Sequence, residues 1–191
     1  MIARLLQVAV LSLVALVLPP RAVAQHPDYS DLDVHARGLG PAELGMKMSR
    51  VSEVLDIDLG EDAIRYTDAD CSSYALGASP YEWDLRFIAQ DNKLVKIDIL
   101  TDRVLTETGV GVGSAASSIR QAYDSDFRVL PGRARGESKL QTRTEADTVL
   151  AFVGRRPGPA QQGGAGGQAP REKVRRYSVG LPESDVTEGC L

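Results

Sequence analysis

The chain has 191 residues, a formal net charge of −4 and 43% hydrophobic residues, which is enough apolar material for a folded core. Its length allows one compact domain or two very small ones. The acidic balance excludes the strongly basic composition that nucleic-acid binding requires, so we expect no nucleic-acid partner.

Residues 1–24 have the three parts of a cleavable signal peptide. A positive charge at Arg4 precedes an apolar run over residues 5–18, and Ala-Val-Ala at residues 22–24 supplies the small residues that a signal peptidase requires. The apolar run is shorter than the roughly 20 residues of a membrane-spanning helix, which favours cleavage over an uncleaved anchor. Cleavage removes two arginines and no acidic residue, and leaves 167 residues with a net charge of −6. We therefore expect a periplasmic or secreted protein whose mature chain does not span a membrane.

The remainder of the chain shows internal similarity after a polar segment, residues 25–37, that predicts a flexible leader. Residues 44–55 align without gaps with residues 112–123, and a glycine, a serine and the apolar positions coincide. Each aligned segment is typical of a turn followed by a short amphipathic helix. We therefore divide the chain into repeat 1, residues 38–105, and repeat 2, residues 106–191.

Alternating apolar and polar residues follow the helix in each repeat, as expected for half-buried strands. In repeat 1 the pattern predicts strands at residues 72–76, 83–88 and 94–99, with a turn at residues 90–92. The counterparts in repeat 2 are residues 138–143, 149–153 and 173–179.

A segment rich in Gly, Pro, Gln and Ala, residues 155–172, separates the last two strands of repeat 2, and we expect a disordered hairpin insertion there. The whole pattern predicts an α+β fold. Two tandem repeats, each a helix followed by an antiparallel meander, would form one sheet with both helices packed on one face.

The two cysteines, Cys71 and Cys190, predict one intramolecular disulfide, because an exported chain meets an oxidising compartment. The bridge would tie the end of the chain to the first half of the protein. The alternative is two unpaired thiols, with Cys190 able to link two chains. We expect a monomer.

The motifs that suggest chemistry have structural explanations. The glycine-rich segment 109–113 lacks the third glycine of a dinucleotide fingerprint and the lysine of a phosphate loop, so it predicts a turn. The acidic segment 56–62 departs from EF-hand spacing and predicts a solvated loop, with a weak surface calcium site as the alternative. The two histidines, His26 and His35, lie in the leader, which would have to fold into a site to serve catalysis. We therefore assign no catalytic, cofactor-binding or metal-binding residue and expect no enzyme activity.

Three aromatic residues in repeat 1 are candidates for partner binding: Tyr74, Tyr81 and Trp83. Strand alternation places some of them on an outward face, and packing in the core is the alternative for each. Basic residues at positions 171–176 could meet an anionic partner such as lipopolysaccharide, although a solvated hairpin is the commoner explanation of such residues.

Three short motifs carry a family resemblance that covers residues 38–191: Leu-Gly-Met at residues 44–46, Thr-Gly-Val-Gly-Val-Gly-Ser at 108–114 and Glu-Gly-Cys at 188–190. With them the chain resembles bacterial secreted proteins built from tandem helix-then-sheet repeats. The architecture is similar to the β-lactamase inhibitory protein fold and to small outer-membrane lipoproteins of the SmpA/OmlA type. The resemblance implies a binding scaffold and leaves its target open.

These observations predict an exported, non-enzymatic binding or scaffold protein that recognises a macromolecular partner in the cell envelope or outside the cell. The first alternative is a structural or assembly component of the envelope. The second is a hydrolase whose carboxylate pair has no recognisable spacing.

Overall fold

A computed structural model describes residues 31–60, 64–68, 71–79, 82–123, 127–155 and 172–182. The predicted signal peptide at residues 1–24, residues 156–171 of the predicted insertion, Tyr81 and Cys190 lie outside the described residues.

The described residues form two α-helices and twelve β-strands. The helices are α1 (Met48–Leu55) and α2 (Ala116–Tyr123). The strands are β1 (Asp33–His35), β2 (Gly38–Leu39), β3 (Ala42–Glu43), β4 (Ile64–Asp68), β5 (Cys71–Ser79), β6 (Glu82–Gln90), β7 (Lys93–Ile99), β8 (Leu105–Thr106), β9 (Arg128–Pro131), β10 (Glu137–Arg143), β11 (Val149–Arg155) and β12 (Lys173–Gly180).

Each helix is short and buries one face. In α1, Met48 and Val51 lie three residues apart, so both side chains point to the same side, and both are buried. The helix ends where Asp56 adopts a left-handed conformation (φ 53°), which turns the chain away from the helix axis. In α2, Ile119 is fully buried. The short helices therefore depend on packing against the strands, because eight residues are too few for a stable isolated helix.

The larger sheet has eight strands in the order β4-β5-β6-β7-β12-β11-β10-β9, and every neighbouring pair is antiparallel. The strands that follow α1 and those that follow α2 meet where β7 pairs with β12. The turn between β6 and β7 is at Asp91 and Asn92, whose φ angles are 50° and 60°. Two consecutive positive φ values are what a tight two-residue hairpin requires, so the predicted turn is confirmed.

One face of the larger sheet, which we call the core face, is apolar. Two cross-strand rows supply it: Tyr74, Phe87, Ile97, Val179 and Leu150 in one, and Leu76, Leu85, Ile99, Tyr177, Phe152 and Leu140 in the other. The buried residues of α1 and α2 join these rows in one hydrophobic cluster. Burial of this apolar surface is the main source of stability for the fold.

The core face includes a polar group that is bonded internally. The Tyr177 hydroxyl donates to the Val104 carbonyl oxygen at 2.9 Å, and the Tyr177 ring stacks on Phe152 with centroids 5.5 Å apart. Burial raises the pKa of Tyr177 far above its usual range, and the nearby Tyr123 and Asp33 add to the effect. Tyr177 is therefore held neutral as a hydrogen-bond donor.

A second, smaller sheet corrects two of the predictions. It has the order β3-β2-β1-β8, and β1 pairs in parallel with β8. The predicted flexible leader is wrong at residues 33–37: Val34 in β1 is only 2% exposed, and the Thr148 hydroxyl donates to the Ala36 carbonyl oxygen. Residues 33–35 are ordered because β8, some 70 residues later in the chain, offers a strand edge to pair with. The described residues therefore form two sheets where one was predicted.

The mixed helix and strand content confirms the predicted α+β class. Beyond the predicted strands, the structure adds β4 and β9 at the two edges of the larger sheet, so four strands of this sheet follow each helix. Among the helices of the described residues, none has the length and apolar character needed to cross a membrane.

Candidate binding face

The other side of the larger sheet, which we call the basic face, is built by strand alternation. Residues that alternate with the core positions line up in three cross-strand rows. The first row is Leu130, Lys139, Val153 and Arg176. The second is Arg128, Gln141, Ala151, Ser178, Asp98, Arg86 and Ala75. The third is Arg143, Val149, Gly180, Lys96, Ile88 and Ser73. None of these residues belongs to the hydrophobic cluster of the core face. Seven of them are nevertheless buried: Ser73, Ala75, Ile88, Asp98, Val149, Ala151 and Gly180.

A group of ion pairs marks the basic face where β6 and β7 adjoin. The Arg86 guanidinium donates from Nη2 and from Nε to Asp98 Oδ2, at 2.6 and 3.2 Å. Lys96 Nζ lies 3.3 Å from Asp98 Oδ1. The side chains of Arg86, Asp98 and Lys96 are 15%, 8% and 24% exposed, so water screens these pairs less than it screens ordinary surface pairs. Two cations share one carboxylate, which leaves a net positive charge.

The ion-pair group continues to an aromatic ring and to a second carboxylate. The Arg86 guanidinium carbon lies 4.6 Å from the centre of the Trp83 ring, a cation–π contact. An irregularity in the β5–β6 pairing adjoins Trp83, since Gly77 pairs with Trp83 and Leu76 pairs with Leu85. Arg103 forms an ion pair with Asp84, which occupies the extra position between those two pairs. Trp83 is thereby held beneath a charged group.

The ion-pair group has its carboxylate occupied and retains hydrogen-bond donors. Both oxygens of Asp98 are occupied by cations, so the carboxylate is not placed to accept a proton from a substrate. A guanidinium has five N–H donors, and Asp98 receives two of those of Arg86. Arginine and lysine donors of this kind bind carboxylate and phosphate oxygens.

The structure separates the three aromatic residues that the sequence grouped as candidates. Tyr74 lies on the core face, is 8% exposed and belongs to the hydrophobic cluster, so its assignment to a binding surface is wrong. Its position opposite Phe87 decides this, because Phe87 faces the helices. Trp83 is half-buried at the margin of the basic face. Tyr81 lies outside the described residues and stays a prediction.

Cys71 begins β5, opposite Gln90, and is half-buried. Its predicted partner lies outside the described residues, so the disulfide stays a prediction.

The motifs with structural explanations occupy turns or are bonded locally. The His35 Nε2 atom lies 2.9 Å from the Gly40 carbonyl oxygen, and its Nδ1 accepts from the Arg37 backbone N–H. Gly109 and Gly113 have φ angles of 75° and 87°, which a side chain rarely permits. In the acidic segment, Asp58 Oδ1 accepts from the Gly60 backbone N–H. Among the described residues there is no group of three potential metal ligands.

Sequence reasoning missed Arg86, Lys96 and Asp98 as a group. A signal was present, since charged residues interrupt two otherwise apolar strands at alternate positions. The register between β6 and β7 brings the three residues together: Arg86 pairs with Asp98, and Lys96 lies two residues before Asp98 on the same face.

Comparison with known proteins adds a distant structural likeness. No protein-family model and no curated protein matches the chain. The chain is similar to the crystal structure of the uncharacterized protein yfeY from Escherichia coli, at 15% sequence identity and a TM-score of 0.41. The match covers 62% of this chain and 79% of that chain. A likeness at this level supports no statement about function.

Proposed function

We propose that this chain is an exported, non-enzymatic binding module that contacts a macromolecular partner, in the cell envelope or outside the cell, through the basic face. The observation that carries the proposal is the half-buried group of Trp83, Arg86, Asp98 and Lys96 on a sheet face opposite the helices. Burying charged groups in a fold costs free energy, so such a group is expected where recognition requires it.

The proposal includes the finer architecture. Each helix precedes four antiparallel strands of the larger sheet, and the two sets join edge to edge at β7 and β12. This order supports an interpretation as two tandem repeats, residues 38–105 and 106–191, in which duplication produces a sheet wide enough to serve as a docking surface. The resemblance to inhibitor-like and lipoprotein-like modules agrees with this interpretation and stays a prediction.

Export is the second part of the proposal. The signal-peptide pattern at residues 1–24 and the pair of cysteines support a periplasmic or secreted location. Mass spectrometry of the protein isolated from its producing cells tests this part. We expect a mature N-terminus at Gln25, and a retained Met1 in the extracytoplasmic fraction would contradict cleavage.

Site-specific photo-crosslinking tests the binding role. A photoreactive phenylalanine analogue replaces Val153, a half-buried position in the first row of the basic face. The control places the analogue at Ser49, an exposed position on α1. We expect the Val153 variant to capture one discrete partner in living cells and the Ser49 variant to capture none. Equal capture at both positions, or no capture at Val153, would contradict the proposal.

The outcome of crosslinking also separates the alternatives. Capture of peptidoglycan or of an abundant outer-membrane component would favour a structural role in the envelope. A hydrolase would instead turn over a substrate, and a carboxylate pair in a cleft would be essential to the turnover.

A further inference from the structure

The charges of the basic face are unevenly distributed. Its three rows contain six cations and one acidic residue, Asp98, and the next row, Glu137, Arg155 and Lys173, adds one acidic residue and two cations, although the whole chain has a net charge of −4. The six cations of the three rows are Arg86, Lys96, Arg128, Lys139, Arg143 and Arg176. Asp98 is already bonded to two of them, and Asp147 forms an ion pair with a third, Arg143. The protein thus presents a positive potential on one face of an acidic molecule, which orients an approaching charged partner.

We infer that the partner is a protein that presents an acidic surface to this face, an inference that rests on the proposed function. Because opposite charges attract, the positive charge of this face favours a partner with a negatively charged surface. The spacing supports the size of the partner, because the cations extend from β6 to β9, five strand intervals of about 4.8 Å, or roughly 24 Å. A span of this order matches the width of a standard protein interface and exceeds a single anionic headgroup.

The residues between the cations distinguish a protein partner from a membrane. A surface that enters a bilayer interface carries large apolar side chains that insert below the headgroups. The apolar residues between the cations of the basic face are instead small or covered: Ala151 is small, Ile88 and Val149 are buried, and Val153 is half-buried. Trp83 lies beneath the Arg86 guanidinium. Leu130, at the edge strand, is the large exposed apolar residue among the described positions of the three rows. Four of the six cations, Arg86, Lys96, Lys139 and Arg176, are half-buried, which limits their reach toward a membrane.

The first row supplies the test residues. Lys139 and Arg176 flank Val153 on adjacent strands, so one double substitution changes the charge at the centre of the face. The variant K139E/R176E reverses two charges there. The control K47E/R50E makes the same change in net charge on the α1 side of the molecule, where both side chains are exposed.

The probe is poly-L-glutamate, with poly-L-lysine and phosphatidylglycerol vesicles as comparisons, and binding to the purified mature protein is measured at low and physiological salt. We expect poly-L-glutamate to bind at low salt and to weaken as salt rises. K139E/R176E should lower its affinity about tenfold, and K47E/R50E should change it less than about twofold. The neutral variant K139Q/R176Q should give an intermediate loss, and circular dichroism confirms that each variant folds.

Three results would overturn the inference. One is equal weakening by K139E/R176E and K47E/R50E, which would mean that net charge alone matters. Another is binding to phosphatidylglycerol vesicles, sensitive to K139E/R176E, without binding to poly-L-glutamate, which would mean an anionic lipid partner. The third is unchanged crosslinking at Val153 in the K139E/R176E background. This result would leave the binding role intact but would contradict an acidic surface on the partner.

Discussion

Arg86 and Asp98 face each other across β6 and β7, and two nitrogens of the guanidinium donate to a single carboxylate oxygen of Asp98. The other oxygen receives Lys96. This arrangement joins adjacent strands through side chains on the face opposite the helices. The same side chains therefore contribute both to the stability of the sheet and to the charge of the basic face.

The Arg86–Asp98 pair leads to a prediction about stability. Arg86→Met should lower the free energy of unfolding by about 3 kcal/mol, at the low end of the range for breaking a buried ion pair, because Lys96 still neutralises Asp98. Urea unfolding measures the change. R86M combined with Asp98→Leu should cost less than the sum of the single changes. Additive losses would show that the two side chains do not depend on each other.

The buried Tyr177 hydroxyl predicts a loss of stability at alkaline pH. Its pKa is raised in the folded protein, while an unfolded tyrosine ionises near pH 10. The folded protein therefore keeps a proton that the unfolded chain releases. The stabilisation is fully present below about pH 10 and declines by about 1.4 kcal/mol per pH unit as the pH rises toward the folded pKa.

Tyr177→Phe is the control for the alkaline effect. The phenylalanine variant should lose part of the slope above pH 10, because it has no hydroxyl to ionise at that position. It should also be less stable by about 1–3 kcal/mol at neutral pH, since the Val104 carbonyl loses its donor. Urea unfolding between pH 8 and pH 11 measures both changes. An identical slope for the two proteins would show that Tyr177 does not cause the decline.

The predicted disulfide between Cys71 and Cys190 gives a third expectation. Peptides that contain the two cysteines should be linked in non-reducing mass spectrometry of the exported protein. Replacing both with serine should lower the free energy of unfolding by roughly 4 to 5 kcal/mol, the entropic value for a loop of this length. Reduction of the unsubstituted protein should have a similar effect. If the linked peptides are not found, the end of the chain is not tied to Cys71.

Gly38 in β2 gives a fourth prediction about the smaller sheet. A Cβ atom at this position would lie 2.0 Å from the Ala42 carbonyl oxygen, which belongs to the backbone of the paired strand and cannot rotate away. Gly38→Ala should therefore destabilise the protein by about 3 kcal/mol, at the upper end of the range for overpacking. Gly60→Ala is the matched control, because its nearest neighbour is the flexible Asp58 side chain, at 3.1 Å. Equal unfolding midpoints would contradict the clash.

Local pattern was enough to predict the main elements of both halves. Met48, Val51 and Leu55 have helical spacing and lie in α1, and alternation at residues 83–88 and 94–99 corresponds to β6 and β7. The turn at Asp91 and Asn92 was visible because these residue types tolerate positive φ. These features depend on interactions between residues close in the chain, so the sequence contains them directly.

The binding face could not be predicted in the same way. Alternation divides each strand into two faces, but it does not say which face the helices cover. Tyr74 and Arg86 both lie on alternating strands, and only the pairing of β5 with β6 places one in the core and the other opposite it. The ordered conformation of residues 33–35 in the predicted leader also depends on strand pairing, because Val34 is buried only when β1 pairs with β8.

The sequence by itself therefore determined the α+β class, the helices and the central strands, because short-range periodicity encodes them. Tertiary structure alone decided that a chain with a net charge of −4 gathers Arg86, Lys96, Lys139 and Arg176 on one face. The physical reason is that these residues come from strands separated by up to 90 positions, and only the register of an eight-stranded sheet brings their charges together.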